Sequence, residues 1–209
     1  MSGNKALLIT AIMIFLMLIT SVFAKGLEAD KIESIMIEHA CELNEMKIKN
    51  DSRLTKNDLA TNEQIENRVG WLKYYSKRLA PKGYNWKRLW KDSFAIAWQE
   101  SYFVNYIEHD NNKGFGWTAL HWTTCEDMAD RYGWNWQKDK DTIDVRAKLQ
   151  AKYMIGYVVW LYDFYGQDRR KAITGYNQGL WLDDDFYYKN YWLSVAGRIN
   201  QVDKWLEVE

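Results

Sequence analysis

Residues 95–101, Ala-Ile-Ala-Trp-Gln-Glu-Ser, place the carboxylate of Glu100 at the end of an apolar run. From Trp86 to Phe103 there is neither Gly nor Pro, and Leu89, Ser93, Ile96, Glu100 and Phe103 recur at the spacing of one helical stripe. Glu100 is therefore expected to face a core or a cleft together with Ile96 and Phe103. A carboxyl group in such surroundings loses hydration, so its charged form is disfavoured and its pKa rises. It can then hold a proton near neutral pH and donate it to a leaving oxygen. The plain alternative is a helix-end glutamate that bends to solvent or pairs with a lysine.

Two later stretches supply groups that would sit near such an acid. Residues 108–122 pass from polar to glycine-bearing to aromatic, which predicts a loop returning across the end of the Glu100 helix. Gly114 and Gly116 permit the turns or close approach that other residues resist. Residues 168–179 predict a short helix that ends in Tyr176, Asn177 and Gln178 and stops at Gly179. Tyr176 and Asn177, polar groups at the end of an apolar helix, suit a cleft edge. Glu108, Asp110, Glu126 and Asp127 are the candidates for a second acid. Their plain reading is solvated loop or helix-start acids, with Thr124 and Asp127 forming a helix-start pair.

Helical segments must position these groups. Residues 30–43 carry Ile32, Ile35, Met36, His39 and Leu43 on one face of an amphipathic helix, with His39 at its edge. Residues 44–61, rich in Lys, Asn and Asp, are expected to form a linker. Thr61 and Gln64 have the form of a capping box, Ile65, Val69, Leu72 and Leu79 continue a helical face, and Pro81-Lys82-Gly83 ends it. Residues 141–166 predict a long helix with Val145, Leu149, Tyr153, Gly156 and Trp160 on a face, and residues 183–192 an acidic, aromatic loop. The class is all-α.

Composition narrows the partners. The 28 Lys and Arg balance the 28 Asp and Glu, so no broad field points to nucleic acid or an anionic membrane face. Twelve Trp and 14 Tyr exceed what a core of 209 residues needs, and such rings line clefts where an apolar face meets polar groups. Trp98, Trp117, Trp122, Trp134, Trp136 and Trp181 are the candidates for stacking rings in such a cleft, with core packing as the default for each. With three His and no ligand spacing, neither a metal site nor a cofactor is implied. Residues 6–24 are 19 uncharged, mostly apolar residues followed by Lys25, a signal peptide or a membrane anchor that exports the rest to the periplasm or cell envelope. Val22-Phe23-Ala24 offers small residues for cleavage and favours the signal peptide. In that compartment Cys41 and Cys125 either pair or remain two free thiols.

The residues quoted above carry a family likeness over roughly residues 85–200. Ala-Ile-Ala-Trp-Gln-Glu-Ser resembles the Ala-Ile-x-x-x-Glu-Ser helix end of the soluble lytic transglycosylases, members of the lysozyme-like superfamily related to goose-type lysozyme. Gly-Phe-Gly-Trp-Thr-Ala-Leu, residues 114–120, stands where that family has Gly-Leu-Met-Gln, so Gly116 matches the glycine. Ala-Ile-Thr-Gly-Tyr-Asn-Gln-Gly, residues 172–179, is similar to the family's Ala-x-x-Tyr-Asn-x-Gly helix and puts its cleft tyrosine and asparagine at Tyr176 and Asn177. Each motif alone is a weak signal, and their order with a glycine turn between them is more specific. The chain departs where Trp117-Thr118-Ala119 replaces Leu-Met-Gln, so the family's sugar-holding glutamine is missing at Ala119.

The resemblance implies a lysozyme-like domain over residues 85–209, preceded by a leader over 1–24 and a helical N-terminal extension with a polar linker over 25–84. It implies cleavage of the β-1,4 bond between N-acetylmuramic acid and N-acetylglucosamine in peptidoglycan glycan strands, with Glu100 as acid and then base. Tyr176 would orient Glu100 through its hydroxyl, and Ser101, Gly116, Trp117, Thr118 and Asn177 would complete the substrate site. Two other readings stay open. One is a goose-type muramidase with a second acid that activates water. The other is a non-catalytic peptidoglycan-binding module, and either domain can serve a secretion, conjugation or virion assembly.

Overall fold

The structure is a computed structural model that describes residues 28–52, 54–105, 113–180 and 185–207. Helix α1, over 28–50 of the described residues, and a single 3-10 turn, Lys56–Asp58, precede α2 (Asn62–Leu79) and α3 (Trp86–Ser101). A hairpin of β1 (Gly114–Phe115) and β2 (Leu120–His121) follows, then α4 (Trp122–Tyr132), α5 (Trp136–Asp139), α6 (Ala147–Phe164), α7 (Arg169–Gln178) and α8 (Asp185–Glu207). The strands pair antiparallel, with Gly114 opposite His121 and Phe115 opposite Leu120. The fold is all-α apart from this hairpin.

Local chemistry fixes most of the helix ends. Thr61 and Gln64 form the expected capping box: the Gln64 amide donates to the Thr61 hydroxyl at 3.2 Å and the Thr61 amide to the Gln64 side chain at 2.9 Å. Ala80, held extended before Pro81, ends α2. Asn85 opens α3 by accepting from the amides of Lys87 and Arg88, and Asp168 opens α7 by accepting from Lys171. Gly179 closes α7 with φ of 72°.

Four expectations differ from the structure. The stretch 44–61 is not a linker. Helix α1 runs on to residue 50, and the buried Asn44 accepts from the Ala60 amide at 3.1 Å, folding the following loop back onto the helix. Helix α3 stops at Ser101, because Tyr102 and Phe103 both adopt left-handed backbone, so Phe103 enters the core from beyond the helix. Helix α6 begins only at Ala147, and Val145, expected on its buried face, is 78% exposed. Of the stretch 183–192 expected as a loop, 185–192 is the first part of α8, which docks along α3; the two preceding positions lie outside the described residues.

Buried residues on both sides of position 84 share one core. Met36 and Ala40 of α1, Val69 and Leu72 of α2, Phe94 and Ile96 of α3, and Met154 and Val158 of α6 belong to one buried cluster. Helix α6 is covered on nearly every side. Gly156 makes this possible, since a Cβ there would stand 2.6 Å from the Trp134 ring. Cys41 and Cys125 are both free thiols, Cys125 fully buried on α4. Burial pushes both thiols up. No helix among the described residues is long and apolar enough to cross a membrane; residues 6–24 lie outside them.

One buried ion pair ties α3 to the start of α7. Asp92, fully buried, accepts from the Arg169 guanidinium through both carboxylate oxygens and from the Tyr162 hydroxyl at 2.5 Å. Burial, and then the Asp92 charge, push the Tyr162 phenol up, so it remains a donor. Removing one member strands the others in a dry site. Asp92→Ala is expected to cost about 3–5 kcal/mol in urea unfolding, whereas Lys91→Ala, which breaks the half-exposed pair with Asp203 one residue away, costs under about 1 kcal/mol.

Candidate active-site cavity

The last turn of α3 carries Glu100 past a tightly held turn of the hairpin. Ser101 Oγ donates to the Trp117 carbonyl at 2.6 Å and accepts from the Phe103 amide at 3.0 Å. The Trp117 amide donates to Gln150 Oε1 at 3.1 Å, and Gln150 Nε2 in turn donates to the Asp144 carbonyl at 2.7 Å. The Tyr176 hydroxyl donates to the Thr118 carbonyl at 2.7 Å. Thus α3, α6 and α7 each hold one backbone group of residues 117–118.

Glycine is required at the head of this turn. Gly116 has φ of 69°, and a Cβ on it would lie 2.1 Å from Gln150 Oε1. Ala119, at the other end, holds a left-handed φ of 52° without being glycine. The turn thereby opens a cavity of about 340 Å³ walled by Glu100, Ala119–His121, Thr124, Tyr157 and residues 176–179.

Glu100 is half-buried on this wall. The hydroxyl of Tyr191, on α8, donates to its Oε1 at 2.5 Å. Burial, and then the Glu100 charge, hold the Tyr191 phenol well above its usual range, so it stays a proton donor to the carboxylate. The same two influences raise Tyr176. Asn177 is exposed beside them, and His121, Thr124 and Gln178 supply further polar edges. Among the described residues, Glu100 is the one carboxylate on the cavity wall. Glu126 and Asp127 are exposed on α4 and do not line it; Glu108 and Asp110 lie outside the described residues. No three His, Cys, Asp or Glu side chains converge as metal ligands among the described residues.

The structure brings Glu100, Tyr176 and Asn177 together and gives the other expected site residues a different task. Ser101 and Thr118 are fully buried, and Trp117 is 1% exposed with its ring stacked on Phe103, so these side chains support the turn from behind. Gly116 is equally buried and matters as backbone. The hydroxyl that reaches Glu100 belongs to Tyr191 and not, as expected, to Tyr176, whose hydroxyl is taken by Thr118. Thr124 is not a helix-start residue, since α4 begins at Trp122 after an extended His121.

Most of the candidate stacking rings are occupied by protein. Trp98 stacks on Trp205 at 5.4 Å, Trp134 lies 4.7 Å from Tyr132, and Trp136 packs against Tyr153 at 5.9 Å. Trp122 is half-buried with its ring tilted over Phe115 at 4.2 Å between centroids, and Trp181 lies outside the described residues. Sequence reasoning missed His121, Thr124, Tyr157 and Gln178 as cavity groups and Tyr191 as the partner of Glu100. The signal for Tyr191 was present: Tyr191, Val195, Ile199 and Val202 recur as one helical stripe, and the last three are buried.

The close approach at Gly116 can be tested through its partner. Gly116→Ala forces a left-handed alanine and displaces the Gln150 side chain, for an expected loss of about 2–4 kcal/mol in chemical denaturation. In a Gln150→Ala background the same substitution is expected to cost at least about 1 kcal/mol less, because the contact it breaks is already gone. Equal costs in the two backgrounds would mean that the glycine serves only its own φ.

No family model matches the chain, and neither a curated protein nor a solved structure does.

Proposed function

We propose that the chain is an exported lytic transglycosylase that cleaves the N-acetylmuramic acid–N-acetylglucosamine bond of peptidoglycan glycan strands. The observation that carries this reading is a half-buried carboxylate, the one on its polar cavity wall among the described residues, with a phenol donating to it. Ordinary glycosidases divide acid and base between two carboxyl groups. A transglycosylase needs one, because a hydroxyl of the substrate replaces water as the nucleophile. The family likeness of residues 95–101 and 172–179 selects that class, and residues 6–24 supply the export signal or anchor.

Protonated Glu100 gives its proton to the glycosidic oxygen as the bond from that oxygen to the muramyl C1 breaks. The muramyl 6-hydroxyl then attacks C1, its oxygen closing a 1,6-anhydro ring and its proton returning to Glu100. The site ends in the protonation state in which it began. Tyr191 serves the interval in which Glu100 is an anion, since its donated hydrogen bond holds the carboxylate in place and stabilises its charge. Tyr176 holds the hairpin turn against α7, which places Ala119 to His121 opposite the acid. Asn177, exposed on the wall, is the polar group most available to a sugar acetamido or hydroxyl. No step calls for a metal or organic cofactor or for nucleic acid.

Mass spectrometry of muropeptides released by the full chain tests the reading. The expected products are about 18 Da lighter than hydrolytic ones, as an internal anhydro ring requires, and they vanish with Glu100→Gln. Hydrated products would instead assign a muramidase, and binding without release a glycan-binding module. Tyr191→Phe, with the fold retained by circular dichroism, is expected to lower kcat about ten- to hundredfold at little change in KM, the worth of one hydrogen bond to a charged group. An unchanged kcat would remove Tyr191 from the machinery.

A further inference from the structure

On the other side of the hairpin, α2 and the start of α6 enclose a larger cavity of about 810 Å³. Trp71 and Trp122 give it aromatic walls, and Asn67 a polar edge. Among the described residues its charge is one-sided: Arg68, Arg146 and Lys148 line it against the one carboxylate of Asp144. Arg146 and Lys148 are exposed at the rim, Lys148 with its ammonium 4.8 Å from the Trp71 ring.

Arg68 is the unusual member. It is 5% exposed, yet among the described residues the partners that its guanidinium finds are neutral: the Phe103 carbonyl and Asn105 Oδ1. Its Nε is buried without a partner among the described residues. Burial alone acts on the group and draws its pKa down to about 10. A buried cation held by neutral acceptors lacks the counter-charge that ordinarily balances its lost hydration. A guanidinium offers five donors in a planar fork, and a carboxylate fits that fork by two parallel bonds.

We propose that this cavity is a second binding site, which takes a carboxylate-bearing peptide, with Arg68 as its buried anchor and Arg146 and Lys148 as its rim. Under the transglycosylase reading, on which this identification rests, the ligand is the peptide stem carried by the glycan strand. The volume and the two indoles suit a ligand with apolar and amide parts better than a bare inorganic anion. The two cavities are close enough for one substrate to use both. Gly116 borders the larger and Ala119 the smaller, and three residues span at most about 10 Å.

Calorimetric titration of the full chain carrying Glu100→Gln, which leaves the ligand intact, tests the proposal. The probes are a disaccharide bearing a short peptide with free carboxylates, the same compound with those carboxylates amidated, and inorganic phosphate. The free acid is expected to bind at least about tenfold tighter than the amide, the worth of a charge-assisted bond. Replacing Arg146 and Lys148 together with Ala is expected to erase most of that difference. Arg68→Lys, which keeps the charge and loses the fork, should weaken the acid selectively while thermal unfolding stays cooperative. Equal binding of acid and amide, an unchanged preference in the rim variant, or phosphate binding as tightly as the acid would each overturn the proposal. The active chain separates this failure from that of the enzyme reading. Cleavage of glycan strands with and without peptide at equal kcat/KM sinks the second site alone. A retained carboxylate preference with no cleavage of either strand sinks the transglycosylase and leaves a peptide-binding cavity.

Discussion

The turn at residues 116–119 is the constraint on which the rest of the molecule depends. Two backbone carbonyls and one amide in a buried turn need partners, and three helices supply one each: Ser101 from α3, Gln150 from α6 and Tyr176 from α7. An unmet buried peptide group costs roughly 1–3 kcal/mol, so the position of each helix end is tied to the turn as strongly as the turn is tied to them. The cost of the left-handed Ala119 is borne by that same set of bonds. Both cavities follow, one on each side of a hairpin that has little room to shift.

The aromatic richness of the chain has a mainly architectural use. Trp90 and Trp117 are fully buried, Trp98 and Trp205 stack between α3 and α8, and Trp134 fills the space that Gly156 leaves on α6. Large flat rings cover much area per residue at little loss of rotamer freedom, which suits short helices meeting at several angles. What remains for ligands is small: edges of Trp71 and Trp122 on the larger cavity.

Electrostatic design differs between the two halves of the site. Around Glu100 the Tyr191 phenol, kept a donor by burial and by the carboxylate itself, bonds to the acid, Tyr176 stands beside it, and the half-buried Arg198 guanidinium feels its charge. Around Arg68 the neighbours are a carbonyl and an amide, and the charge that would complete the set is absent among the described residues. Asp92 and Arg169 show the contrasting solution, in which a buried charge meets its opposite within the fold. The first arrangement suits proton transfer, the second recognition, and the third stability.

Sequence alone determined the features that depend on near neighbours. The Thr61–Gln64 box, the stop before Pro81, the Asp168 and Gly179 ends of α7 and the inward stripe of Glu100 are all set by residues within about one helical turn, and periodicity records them. That Glu100, Tyr176 and Asn177 stand at the ends of apolar helices was legible in the residue pattern, and the cavity they share is what the fold adds. Tertiary structure decided which group answers which. Ser101, Trp117 and Thr118 read as site residues by position, yet the depth of the turn turns them into supports. Tyr176 and Tyr191 are both tyrosines near an acid, and only the docking of α8 on α3 gives the Glu100 bond to the second. Asn44 made a linker of its segment by composition, and its amide made a buried contact of it instead. Hydrogen-bond partners 16 to 91 residues apart leave no periodic trace, because the chain brings them together only when its cores close.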